Sequence, residues 1–164
     1  MTAVAVLVGA AALVGCAALV VARRRLVAVS VFGPSMAPAY RDGDRVLVWR
    51  TRAGRLRRGQ VVVVERPEPD GHWRSDARSR PSRWMIKRVA ALPGDPVPRQ
   101  AVPMLAGRPE DAVPPAMLVL LGDNGSASYD SRQVGYFPAD RLLGVAVRKL
   151  PPVRDQRRWH SPLA

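Results

Sequence analysis

The sequence predicts a mainly β protein, with one domain of short strands carried behind a single apolar helix at the N-terminus. Three observations point there. Hydrophobic residues make up 48% of the chain but aromatics only 5%, and 16 prolines with 13 glycines cut it into short apolar runs, the pattern of strands and turns rather than long helices. Residues 3–22 (AVAVLVGAAALVGCAALVVA) carry no charge, and as a helix rising about 1.5 Å per residue they would reach roughly 30 Å, the thickness of a bilayer's hydrocarbon core. The rest of the chain, about 140 residues, has room for one modest core.

The expected organisation is a transmembrane helix at 3–22, a juxtamembrane linker at 23–29, the folded domain at 30–150 and a basic tail at 151–164. Two other readings of the first segment fit less well. A cleaved signal peptide would want a positive region before a shorter apolar stretch, and only Met1 and Thr2 precede this one. Residues 13–16 (LVGC) look like a lipobox, but six more apolar residues follow Cys16 where a lipoprotein would turn polar. Cys16 is the only cysteine, so no intrachain disulfide forms.

Beyond the arginines at 23–25, an apolar, β-prone run at 26–32 leads into GPSMAP at 33–38, where Gly and Pro force a turn and leave Ser35 at a strand end. Even fully extended, the linker would keep Ser35 within about 40 Å of the bilayer. Residues 45–49 and 61–65 read as the two strands of a hairpin with a long loop. Residues 66–82 are polar and Pro-rich without periodicity, an exposed loop in which His72 is solvated. Further strands are expected at 84–91, ending in LPGD at 92–95, at 118–121, ending in GDN at 122–124, and at 142–150. There is no internal repeat and no second apolar segment long enough to span a membrane.

The net charge of +13 lies wholly outside the apolar segment, which makes anionic lipid headgroups the expected partner. Nucleic acid is not expected, because the arginines are scattered and no helix-turn-helix, zinc-ligand or stacking-aromatic pattern accompanies them; a solvated basic face accounts for the charge equally well. No metal or other cofactor is expected, since His72, His160 and a membrane-buried cysteine do not make a ligand set.

Three stretches carry chemistry: GPSMAP at 33–38, KRVAALPGD at 87–95 and GDNGSASYDSRQVG at 122–135. A serine held in a Gly-Pro turn is exposed and conformationally restrained, as a nucleophile must be, although most such serines only form turns. Lys87 is more telling. Side chains alternate across a strand, so Lys87 shares a face with Met85 and Val89. Desolvation there would pull its pKa down from about 10.4 and let the free amine accept a serine proton. A lysine whose stem packs while its ammonium reaches water is the competing reading. Neither histidine lies in a motif that would orient it, so a Ser-His-Asp triad is not expected.

Together the three stretches resemble the type I signal peptidase family over residues 30–147, in order and in spacing. The resemblance implies a compact signal-peptidase-like β catalytic domain and a Ser-Lys dyad with Ser35 as nucleophile and Lys87 as general base. It implies that Ser128 holds the lysine amine, and that Asp130 and Arg132 form a supporting salt bridge which Asp123 joins. Met36 and Pro38, in the nucleophile's own motif, are expected in substrate binding. Some family members place a serine two residues before the nucleophile as a second oxyanion donor; this chain has Gly33 there, leaving the backbone N–H of Ser35 as the expected donor. Ala39, Tyr40, Gln60 and Ala91 also depart from the usual motifs without removing a catalytic group, and the short stretch 96–121 leaves no room for the large inserted subdomain of some relatives.

The implied activity is a membrane-bound serine endopeptidase that removes signal or leader peptides from exported precursors, cutting after small residues through an acyl-enzyme. A maturation protease dedicated to one precursor and a non-catalytic basic membrane module are the alternatives. The resemblance implies a single-pass cell-membrane protein whose catalytic domain faces away from the cytoplasm, whereas the arginines at 23–25 would by the positive-inside rule hold that side in the cytoplasm. The motifs carry more weight than that statistical rule.

Overall fold

A computed structural model of the chain describes residues 13–17, 20, 23–68, 73 and 84–151. Seven strands form one antiparallel sheet: β1 (Leu26–Ser30), β2 (Arg45–Arg50), β3 (Val61–Glu65), β4 (Trp84–Ala91), β5 (Met117–Leu121), β6 (Phe137–Pro138) and β7 (Leu142–Leu150). Their order across the sheet is β1-β2-β7-β3-β4-β5-β6. The mainly β expectation holds for the described residues. Residues 13–17, 20 and 23–25 are helical, but most of the expected span at 3–22 lies outside the described residues, and among those described no helix is long and apolar enough to cross a membrane. The basic tail beyond position 151, with His160, and most of the expected loop at 66–82, with His72, also lie outside them.

β3 explains why the sheet holds together. Its four consecutive valines favour the extended backbone, and all five of its residues are buried. Val61 and Val63 pack with Val31, Met36, Val46, Val48, Ile86 and Leu143 on one face. Val62 and Val64 pack with Leu56, Val89, Leu118, Leu120 and Phe137 on the other. Each fully buried valine contributes on the order of 1.5–3 kcal/mol relative to exposure. A third cluster, Ala91, Val97, Val102, Leu105, Val113 and Val119, closes the irregular segment between β4 and β5.

Two expectations are corrected here. The strands at 45–50 and 61–65 are not a hairpin, because β7 lies between them and pairs with both. Their connection carries a 3-10 turn, Ala53–Arg55, and buries Leu56 in the second cluster, so the chain skips the place taken by β7 instead of reversing beside β2. Residues 26–29 of the expected linker are the edge strand β1, paired in register with β2 from Leu26↔Trp49 to Ser30↔Arg45. The loop before β4 is also less detached than its polarity suggests: Trp73 packs edge-on against Phe137 at 5.6 Å, beneath the Arg141 guanidinium.

Threading β7 between two strands demands close backbone approach at Gly144, which faces Arg50 on one side and Val63 on the other. A Cβ there would run into the Trp49 carbonyl. Gly144→Ala is expected to lower stability by about 1–3 kcal/mol through overpacking, read as a fall in the thermal unfolding midpoint. Gly107→Ala, where an added Cβ meets nothing within 4 Å, serves as the control and should leave that midpoint unchanged.

Candidate active site

The cavity at Ser35 is about 220 Å³ and draws its walls from β1 (Val29, Ser30), the turn at 31–35, β3 (Val63), β4 (Trp84, Met85, Ile86, Lys87) and the loop carrying Ala127 and Tyr129. β1 and β4 are not neighbours in the sheet, so the sheet curls to bring its first edge over β4. The turn that carries Ser35 is built by hydrogen bonds from Val31 N–H to the Asp44 carbonyl (2.7 Å), from Gly33 N–H to Asp42 Oδ1 (2.7 Å) and from Tyr40 N–H to the Met36 carbonyl (2.9 Å). Gly33 sits at φ +79°, a left-handed conformation that side chains disfavour. Next to it Met36 is fully buried in the first core cluster and pins the turn from below.

Lys87 Nζ lies 2.9 Å from Ser35 Oγ, and the lysine is only 3% exposed. Burial lowers its pKa from 10.5 to about 8; the charges of Arg66 and Arg132 push the same way, while those of Asp130 and Asp123 oppose it. Val62, directly opposite Lys87 on β3, is fully buried and helps to keep water away.

Behind this pair, Asp130 binds three pieces of chain together. It is fully buried; its Oδ2 accepts from Gly122 N–H (2.8 Å) and from the Arg132 guanidinium (2.9 Å), and its Oδ1 accepts from Arg132 N–H (3.0 Å). Gln133 Oε1 returns the cap by accepting from Asp130 N–H (2.9 Å), and Ser131 Oγ accepts from Leu120 N–H (2.8 Å), so the short helix Ser131–Val134 is tied to β5 at both levels. Gly122 is the point of closest approach: a Cβ there would strike Ser128 Oγ and lie 2.6 Å from the Ser35 carbonyl oxygen, which accepts from Asn124 N–H at 3.0 Å.

The structure thus brings Ser35 and Lys87 together and pairs Asp130 with Arg132. Asp123 does not join that pair. It takes a two-pronged salt bridge from Arg88 at 2.8 and 2.6 Å, and Arg88 also donates to the Gly59 carbonyl at 2.7 Å. Alternation explains this: Arg88 points to the opposite side of β4 from Lys87 and meets the end of β5 there. Ser128 Oγ is buried with no hydrogen-bond partner among the described residues. Met36 and Pro38 do not line the cavity; Met36 belongs to the core and Pro38 is exposed. The walls near Ser35 instead include Val29, Val31 and Ile86, which the sequence marked only as strand residues, and Arg66, which it placed in a loop.

A family model described as signal peptidase, peptidase S26, matches residues 2–105 and 98–150. The mitochondrial ATP-independent inner membrane protease subunit 1a of Arabidopsis thaliana is 32% identical over 126 residues, covering 74% of this chain and 68% of its own length. Signal peptidase I of Bacillus licheniformis is 26% identical over 157 residues, 78% of each chain. Signal peptidase I of Leptolyngbya laminosa is 30% identical over 152 residues, 79% of this chain and 72% of its own. The protein is a serine endopeptidase. It belongs to the signal peptidase family, the one its three motifs resemble.

The buried lysine carries a stability signature. Its folded pKa of about 8 lies below the 10.5 of an unperturbed lysine, so between those values the unfolded chain binds more protons and stability rises with pH. Below pH 8 both states are protonated and the burial penalty is felt in full, on the order of 3 kcal/mol. Lys87→Met is expected to be more stable than the wild type by roughly 1–3 kcal/mol at pH 7 and to lose the rise between pH 8 and 10.5, as measured by denaturant unfolding across that range.

Proposed function

We propose that this chain is a membrane-anchored signal or leader peptidase in which Ser35 is the nucleophile and Lys87 its general base. The single observation that carries the reading is the 2.9 Å approach of Ser35 Oγ to a buried lysine whose pKa is depressed to about 8. As a free amine, Nζ accepts the hydroxyl proton while Oγ attacks the scissile carbonyl carbon. Collapse of the tetrahedral adduct breaks the C–N bond, the Lys87 ammonium gives its proton to the leaving amine, and an acyl ester remains on Ser35. A water that loses its proton to Lys87 then hydrolyses the ester.

The oxyanion would be met by the Ser35 N–H, which donates to no acceptor among the described residues. Ser128 is proposed to hold the Lys87 amine. Its buried, unpartnered hydroxyl supports that role, since leaving such a group unsatisfied costs about 1–3 kcal/mol. The substrates are proposed to be precursors bearing signal peptides, in keeping with relatives named signal peptidase I. A pocket walled by Val29, Val31, Val63 and Ile86 suits a small apolar side chain before the scissile bond.

The apolar residues 3–22, which the family match takes in, are proposed as a single membrane span, with the catalytic domain on the extracytoplasmic side and the net charge of +13 favouring anionic headgroups.

In detergent, wild type is expected to cleave a precursor, while Ser35→Ala and Lys87→Ala lose at least about a thousandfold in kcat/KM; full activity in either variant would sink the dyad. Because the free amine is the active form, kcat/KM should rise with pH to a plateau with a midpoint near 8, as followed by initial rates on a fluorogenic peptide. Replacing the alanine just before the cleavage point with phenylalanine should reduce cleavage about a hundredfold or more, measured on the same peptide series.

A further inference from the structure

Resting on that peptidase reading, we infer that Arg66 is a specificity-determining residue that recruits a carboxylate side chain of the substrate near the scissile bond. Among the cavity's lining residues the only charged side chains are Lys87 and Arg66, and no acid lines it. Lys87 is committed to Ser35. Arg66 has no hydrogen-bond or ion-pair partner among the described residues, whereas the other arginines near the site do: Arg88 is held by Asp123 and Arg132 by Asp130. The preceding residue, Glu65, does not neutralise Arg66, because it is buried in a salt bridge with Arg141 at 3.1 Å.

The backbone holds Arg66 at the cleft. Arg66 directly follows β3, whose last residue, Glu65, pairs with Trp84 of β4, and Pro67 behind it is buried. The chain is therefore anchored on both sides of Arg66 while its side chain is exposed. A planar fork of donors at the mouth of a cleft suits a carboxylate better than any neutral group. Its charge also bears on Lys87, adding to burial in lowering the amine's pKa, which places the two cations within electrostatic reach of one another. An acidic peptide side chain docked on Arg66 would neutralise the cleft's one arginine without a partner among the described residues, and would not touch the reacting atoms. On the high-pH plateau, where Lys87 is already a free amine, it should therefore act on binding, while below the plateau it would raise the Lys87 pKa and slow the chemical step as well.

The test uses the full chain in detergent and peptides with alanine before the cleavage point, each carrying Gln, Glu or Lys at one position from three before to three after the scissile bond. At one or more of these positions, on the high-pH plateau where Lys87 is a free amine, Glu is expected to lower KM about three- to fivefold relative to Gln with kcat unchanged, an effect that shrinks as salt is raised. Arg66→Gln should abolish the difference, and Arg66→Glu should invert it in favour of the Lys peptide at the same position; a merely structural role would not produce that inversion. Equal KM for Gln and Glu peptides at every position in the wild type, or a preference unchanged in Arg66→Gln, would overturn the assignment while leaving the peptidase reading intact. Failure of the wild type to cleave any peptide of the series would overturn both.

Discussion

The exclusion of water around Lys87 is the constraint on which the rest of the structure depends. A lysine amine becomes a useful proton acceptor near neutral pH only where its ammonium is poorly solvated, and here burial alone is the largest cause of the shift. That dryness is a property of the sheet. β3 is buried along its whole length, β4 lies beside it, and the curl of the sheet folds the Ser35 turn over the lysine. The same burial destabilises the folded chain while the lysine is charged, so the site is held against a local preference for water by the valine clusters on both faces.

Around this dry pair stands a polar frame in which, among the described residues, Arg88 and Arg132 are each matched by a carboxylate and Arg66 is not. Asp130 caps its helix, accepts from the Gly122 turn and neutralises Arg132, and Arg88 spans from Gly59 to Asp123. These bonds act at different distances from the serine. The Asp130 frame fixes the loop that meets the Ser35 segment at Gly122, whereas the Arg88 bridge ties β4 to the end of β5 and to the turn before β3. The site is thus located by rigid strands and short turns, and its walls are largely aliphatic. The unmatched charge, on Arg66, is where selectivity toward the substrate's own charges would enter.

Much of this was legible in the sequence, though unevenly. The strands at 84–91 and 142–150 were visible as apolar runs stopped by Pro and Gly, and the structure forms both with those bounds. Period-two alternation places Lys87 between apolar neighbours, but it leaves open whether the ammonium reaches water; the burial that depresses the pKa is visible only in the structure. Ser35 and Lys87 as a pair were legible only through the three motifs, for a serine in a turn and a lysine in a strand are each ordinary by themselves. The partner of Asp123 is not legible, because Arg88 is next to Lys87 in sequence but opposite it in space. Met36 misleads for a similar reason: adjacency to Ser35 suggests the substrate, but its side chain turns into the core. Trp73 was hidden in a stretch whose polarity reads as solvent, since one aromatic contact with Phe137 leaves no periodic trace.

What the sequence determined by itself is therefore local: the class of the fold, most strand positions, the turns at Gly33 and Gly94, and the serine, lysine and acidic residues of the three motifs. What only the tertiary structure decided is who meets whom. β7, the last strand in the chain, inserts between β2 and β3 and converts an expected hairpin into a crossover, a choice governed by non-local burial and by the absence of a side chain at Gly144. The curl that carries β1 and the Ser35 turn across to β4 is decided in the same way. The 2.9 Å contact between two residues far apart in sequence comes from that curl, because hydrophobic burial rewards the packing of whole strand faces and no local stretch encodes which faces those will be.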